Sequence, residues 1–404
     1  MKFLLCAFVI LLSLCVYPII LRIPIEITQT FGRIEVDIFS WYRMWLVVIF
    51  GSFFLIFLKD EIPKTIYAYW ALLSISTIFS KYYRTSIFGS PWTHEGLIAI
   101  TGYIGIYLTS KKYGLFKGLE RAFDTVIIIA FLASILQIIY GSPLLFPPIK
   151  RLMPSLDYEL SQWPLYSVFG SSNHLGLFCA LFFPYTIIKK KYYLSLPLLF
   201  MAICSETRAA WLSIFATTTL ISRKMIFYVL IASATITLVF HKEVVPRIQN
   251  TIHAIHFPIK ESDLDGRIYI WKKSIPQLKK TILIGHGPNN YAMRMPQYEH
   301  FPTRVIDRPH NAYLNIWIES GLVSLIILLL AFWVILYSDK TLKKDKALQM
   351  GVLGFLIAAL FTDSVLCVTP YFIIFLGALS HKKNWWEQER DWMKYEYNEK
   401  RGHA

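Results

Sequence analysis

The chain has 404 residues, of which 55% are hydrophobic, and it carries a formal net charge of +15 with a mean hydropathy of +0.47. Soluble domains hold roughly 45–50% apolar residues, so this composition excludes a water-dissolved globule and points to a membrane protein. The positive charge is explained by basic anchors against an anionic leaflet, and no nucleic-acid partner is implied.

Apolar runs recur along the whole length, and about 20 helical residues cross a hydrocarbon core. In chain order the runs predict spans near 3–21, 41–58, 63–79, 95–110, 122–140, 173–188, 192–205, 209–222, 225–240, 313–337, 347–362 and 365–380. The fold class expected is therefore an all-α polytopic membrane protein of about 12 transmembrane helices. The first run, Phe3 to Leu21, is long for a signal peptide, lacks a small-residue cleavage site, and has Leu14 before Cys15 where a lipoprotein site needs a small residue. It is read as a retained helix.

Basic residues in short loops stay cytoplasmic. The clusters Lys189 to Lys191 and Lys340, Lys343, Lys344 and Lys346 then place both termini in the cytoplasm. The five cysteines lie in or beside apolar runs without paired spacing and read as small core residues, not disulfides or metal ligands. The organisation expected is nine helices over 1–240, an external segment over 241–312, helices ten to twelve over 313–380, and a cytoplasmic tail over 381–404. Trp385, Trp386 and Trp392 fit a tail lying at the bilayer interface.

The long external segment is where chemistry is expected, because structureless connections above about 15 residues are usually functional or disordered. Within it RIYIWKKSIPQL (267–278) sets Ile268, Trp271 and Ile275 at helical spacing, predicting an amphipathic surface helix with Lys272 and Lys273 turned to water or phosphate. GHGPNN (285–290) is turn-rich, and RPHNAYLNIWIESG (308–321) leads into helix ten. Asp263-x-Asp265 resembles a metal-holding pair, but Asp265-Gly266 is also a common turn signal. His253-x-x-His256 lacks the remaining ligands of a zinc motif.

The order of several pieces resembles the bacterial O-antigen ligase and polysaccharide polymerase superfamily, over roughly residues 80–335. They are SPWTHEG (90–96), FGSSNHLG (169–176), SETRAAW (205–211), GRIYIW (266–271), and PHNAYL (309–314) followed by Glu319 and Gly321. Ligases of this family carry His-Asn, nine residues, Gly, two residues, then Gly, Thr or Tyr. Here His310-Asn311 is followed by Gly321 and then by Ser324, a departure at the last position. The Arg-x10-Gly motif described for the polymerases is absent, which weighs toward ligase.

The resemblance implies a metal-independent glycosyltransferase without cofactor in the bacterial cytoplasmic membrane. It would move a saccharide from undecaprenyl pyrophosphate to a hydroxyl of a glycan, lipid or cell-wall acceptor on the external face. A pyrophosphate leaving group needs its charge held, which suits the bidentate fork of arginine. Arg208 and Arg267 are the leading candidates, with Arg84, Arg304 and Arg308 behind them. The acceptor hydroxyl needs a base, and His310 is chosen because histidine's ordinary pKa lies nearest neutrality. Asn311, Glu95 and Glu319 are expected to bind or orient substrate. Two other readings stand beside this one: a polymerase with the same donor chemistry, and a non-catalytic lipid-saccharide flippase or transporter, which would favour internal repeats and polar groups near the midplane.

Overall fold

The computed structural model describes residues 1–14, 38–58, 62–90, 93–140, 164–239, 245, 249, 267–294, 307–338, 345–363 and 365–381. Among these residues the chain is helical, without strands. Cys15, Arg304, both metal-like pairs, most of 241–266 and the tail after His381 lie outside the described residues.

Among the described residues helices fall within the predicted runs. The chain begins with α1 (Lys2–Leu14), α2 (Ile38–Phe57), α3 (Lys64–Ile78), the short α4 (Tyr83–Phe88), α5 (Leu97–Tyr113) and α6 (Lys117–Tyr140). After a 3-10 turn at Ser167–Phe169 come α7 (Ser172–Ile188), α8 (Tyr192–Cys204), α9 (Arg208–Ile221) and α10 (Arg223–Val239). The C-terminal part holds α11 (Arg267–Leu278), α12 (Tyr291–Arg294), α13 (Ala312–Ser320), α14 (Leu322–Trp333), α15 (Lys346–Ala358) and α16 (Thr369–Leu379). Among the described residues two helices, over Ser40–Phe57 and Lys117–Ile139, are long and apolar enough to cross a membrane on their own; the other apolar ones span 10–17 residues.

Packing fixes the direction of each helix. Glycines bring α2 and α5 into backbone contact, since a Cβ on Gly51 would lie 2.3 Å from the Gly102 carbonyl oxygen and one on Gly105 would lie 2.0 Å from that of Gly51. Small residues allow this close approach where helix association relies on dispersion. The pairs Val47–Gly102 and Gly51–Gly105 make α2 and α5 parallel, and Tyr107 with Ser380 and Lys111 with His381 make α5 and α16 parallel as well. α15 runs antiparallel to α7 and α9, with Gly354 against the Ala180 carbonyl and accepting a hydrogen bond from Ser213.

These directions gather functional candidates at one end of the bundle, the rim. The starts of α5, α7, α9, α13 and α16 and the ends of α3 and α15 meet there. The opposite end collects basic side chains, including Lys189 bonded to Asp345 at 2.7 Å and Lys191 bonded to Asp124 at 2.7 Å. Between the ends lies one continuous aromatic core, in which Phe123, Phe178, Phe182, Tyr185, Tyr371 and Phe375 pack edge to face or tilted.

Two predicted elements differ in detail. The run 313–337 is not one helix: Gly321, at φ +97°, separates α13 from α14, and Leu322 donates its backbone N–H to the Thr281 and Ile282 carbonyls. Glycine is needed at that φ, and a Cβ there would also lie 2.7 Å from the Leu283 carbonyl oxygen. The helix over 267–278 is present, but its buried face holds Arg267, Tyr269, Ile270 and Ser274, while Ile275 is 53% exposed. Tertiary packing decides this, because Tyr269 and Ile270 join Tyr291 and Ile318 in a small core of their own, and Ser274 bonds Tyr291. Lys272 is exposed, as expected, and Lys273 lies over the Tyr269 ring.

Candidate functional site

The site is built around the start of α13. Asn311 is its N-cap: its side-chain oxygen accepts the Leu314 N–H at 2.9 Å, satisfying one of the helix's orphan donors. The Ala312 N–H is bonded to the Ala359 and Thr362 carbonyls, and the Asn311 N–H donates to Asp363. The turn between α15 and α16 is thus clamped to the end of α13, with His310 at the junction. His310 itself has φ +52°, a left-handed conformation that a non-glycine residue holds only when its surroundings enforce it. His94, Glu206 and Asn289 share that conformation in the neighbouring rim turns.

Histidine and aspartate form a dyad here. His310 Nδ1 lies 3.0 Å from Asp363 Oδ2, with His310 about a third exposed and Asp363 buried. Burial alone would lower the His310 pKa, but hydrogen bonding to Asp363 and the charges of Asp363 and Asp307 outweigh it and raise the pKa above the usual 6.5. Burial would raise the Asp363 pKa, yet His310, Arg308 and Arg267 hold it below the ordinary carboxylate value. An Nδ1–H directed at a carboxylate leaves Nε2 of the neutral ring as the base lone pair.

Arg267 is buried at the first turn of α11, and its charge acts on both His310 and Asp363. One turn along the same helix, Trp271 donates Nε1–H to the Pro309 carbonyl at 2.8 Å and packs beside Phe361. That bond fixes α11 against the segment carrying His310. Arg208 opens α9, half-buried, at the same rim. Thr207, the residue before it, bonds the Ser172 carbonyl across the starts of α7 and α9. Among the described residues the starts of α5, α7, α9, α13 and α16, and of α2 parallel to α5, direct positive N-terminal ends toward this rim, a field that favours an anion.

Glu95 and Arg308, separated by 213 residues, form a buried ion pair at 3.1 Å, and the second oxygen of Glu95 accepts from Tyr103 at 2.7 Å. Glu319 is buried on α13, its carboxyl group bonded by the backbone N–H groups of Asn289 and Tyr291. The turn 285–290 secures this arrangement. Asn290 donates to Ser80 and Ser86, Asn289 accepts from Ser90 and Thr93, and the His286 and Gly287 N–H groups donate to the Ile318 and Glu319 carbonyls. Among the described candidates Arg84 alone is left out: it is exposed on α4 and no described contact draws it to the others. Ser324, the departure from the ligase pattern, is fully buried and bonds the Ser320 carbonyl across the helix break.

Sequence reasoning missed Asp363. Its signal was a lone acid between two apolar runs, in a stretch free of other charges. No group of three His, Cys, Asp or Glu side chains with metal-ligand proximity occurs among the described residues.

One comparison with protein families bears on this segment. A family model described as O-antigen ligase matches residues 193–329. The match covers about a third of the chain. The matched segment contains Arg208, Arg267, Arg308, His310, Asn311 and Glu319, whereas Glu95 and Asp363 join the site from outside it. The match supports the O-antigen ligase and polymerase superfamily and a membrane glycosyltransferase-like enzyme. No curated protein and no solved structure matches the chain.

Proposed function

We propose that this protein is an O-antigen ligase-like glycosyltransferase that moves a saccharide from undecaprenyl pyrophosphate to an acceptor hydroxyl at the external face of the bacterial cytoplasmic membrane. The observation that carries the reading is the His310–Asp363 dyad standing beside buried Arg267, at a rim where helix N-termini converge.

In this reaction the acceptor oxygen attacks the anomeric carbon and its proton passes to Nε2 of His310. The bond from that carbon to the pyrophosphate oxygen breaks, and the electron pair leaves with the phosphate. Asp363 holds the imidazole in the required tautomer and stabilises the imidazolium that forms. Arg267 and Arg208 hold the leaving pyrophosphate. Glu95 and Arg308 neutralise each other, so their contribution is to fix the 307–311 segment; Asn311 caps α13, and Glu319 ties α13 to the 285–290 turn.

The twelve helices cross the membrane with the lysine-rich end cytoplasmic and the rim outside. Tilt and interfacial residues accommodate the shorter helices. The reaction needs no metal, because arginines supply the positive charge. Purified protein in vesicles, given polyprenyl-pyrophosphate-linked saccharide and acceptor, should transfer the saccharide in the presence of EDTA and without nucleotide sugar. Activity abolished by EDTA and restored by magnesium or manganese contradicts the arginine-based mechanism.

A further inference from the structure

Beneath the dyad a cavity of about 170 Å³ runs down the bundle between α3, α5, α13, α14, α15 and α16. Its deep part is apolar, walled by residues such as Leu328, Ala331, Ile335, Phe355 and Phe372. The half nearer the rim is lined with oxygen: the carboxyl groups of Glu95 and Glu319, the amide of Asn315 and the hydroxyls of Tyr69 and Tyr103. The charges of Glu319 and Glu95 both act on the Tyr69 hydroxyl, so these groups face one another across the cavity.

Charge does not balance at this end. Glu95 is matched by Arg308 at 3.1 Å, and its other oxygen accepts from Tyr103 at 2.7 Å. Glu319 is buried, with its carboxyl group bonded by the backbone N–H groups of Asn289 and Tyr291. Among the described residues no Lys, Arg or His lines the cavity or forms an ion pair with Glu319. One carboxylate charge is thus in excess, and burying a carboxylate without a counter-charge is costly.

A second feature points to what supplies the missing charge. Asn315 stands four residues before Glu319 on α13, so the two side chains lie on one face of the helix. Asn315 is 7% exposed and lines the cavity, and its side-chain oxygen is buried without a hydrogen-bond partner. An amide oxygen without a donor, beside a carboxylate without a counter-charge, is completed by a cation. Carboxylate, amide and phenol oxygens are hard donors that suit an alkali or alkaline-earth ion, whereas transition metals favour imidazole or thiolate. The single excess charge sets the valence at one.

We propose that the rim half of this cavity is an alkali-cation site, in which side-chain oxygens of Glu319, Asn315, Glu95 and Tyr69 hold one sodium ion. The ion ties α13 to α3 and to the start of α5, and it balances the Glu319 charge. It takes no step in transfer, and the site does not depend on the reaction proposed above.

The test is equilibrium binding of radioactive sodium to purified full-length protein in phospholipid nanodiscs, without donor or acceptor, read by scintillation proximity. One saturable ion per chain is expected, displaced by unlabelled sodium and not by choline. Glu319→Gln keeps the size of the side chain, removes its charge and should abolish binding. Asn315→Leu removes one oxygen and should weaken binding by about tenfold. The wild-type isotherm needs no variant to fold. Lack of saturable binding overturns the proposal and leaves Glu319 neutralised by a proton. Displacement by methylammonium as effective as by sodium overturns it by making the cluster an organic-ammonium site, and displacement by micromolar magnesium or calcium does so by making it a divalent site. Binding unchanged in Glu319→Gln places the ion elsewhere and also overturns it. None of these readouts involves transfer, so the cation site and the transferase reading fail separately.

Discussion

The side chains that were legible from sequence are those whose chemistry is local. His310 and Asn311 announce themselves as a pair before an apolar run, and Asn311 performs the capping that its residue type predicts. Asp363 was not legible, because 52 residues separate it from the Asn311 N–H that it accepts and an isolated acid between two spans reads as a turn. Glu95 and Arg308 were each singled out, yet nothing in either neighbourhood reveals that they pair with each other. The dyad has a pH signature. Asp363 stabilises the imidazolium and raises the His310 pKa, so transfer should rise with pH through a midpoint above 6.5, where the ring becomes neutral. Asp363→Asn removes the stabilising charge, so the midpoint should move to lower pH while the rate falls; a pH–rate profile of both proteins checks this. The stability linked to the raised His310 pKa has the opposite trend, being complete below 6.5 and lost as pH climbs through the folded-state value. For the leaving group, Arg267→Lys keeps the charge but loses the planar fork. Turnover should fall by about 10²–10³, as measured by release of the polyprenyl pyrophosphate.

At the scale of elements, periodicity located helices well and their buried faces less well. The range 267–278 is recovered in full, but the inward stripe is set by Tyr291 and Ile318, which come from segments whose position no local pattern encodes. Gly321 was placed in a motif without a structural role; its φ of +97° and its crowding against Leu283 explain why the helix must break where α13 hands over to α14. Three variants test how the elements are held together. Arg308→Met strands the buried Glu95 carboxylate and should cost roughly 3–5 kcal/mol, seen as a lowered midpoint of thermal unfolding. The double change Glu95→Met with Arg308→Met should recover much of that loss, because the desolvation cost of both charges disappears with them. Gly51→Leu drives a side chain into the Gly102 backbone and should prevent α2 and α5 from docking, measured as loss of monodisperse protein after extraction.

For the whole molecule, composition fixed the helical class, and the lysine clusters distinguished one end of the bundle from the other. Packing separates the same two ends independently: the lysine–carboxylate pairs at Lys189 and Lys191 lie opposite the His310 rim. The alternation of basic residues along the chain sets the expected orientation of the spans. The cavity was not legible, since its walls come from six helices whose apolar residues look in sequence like any other core. Reporter fusions after Lys260 and after Lys344 test the orientation, and external and cytoplasmic signals respectively are expected; the reverse pair would put the dyad on the wrong face for an external transferase.

The most direct measurement of the central claim is the initial rate of saccharide transfer by purified His310→Ala protein in vesicles, with donor binding followed in the same preparation. The account predicts a fall of about 10²–10⁴ in turnover with donor affinity nearly unchanged, because His310 acts on the acceptor proton and the arginines act on the pyrophosphate. Wild-type turnover in the variant would contradict it and leave His310 as no more than the residue that starts α13.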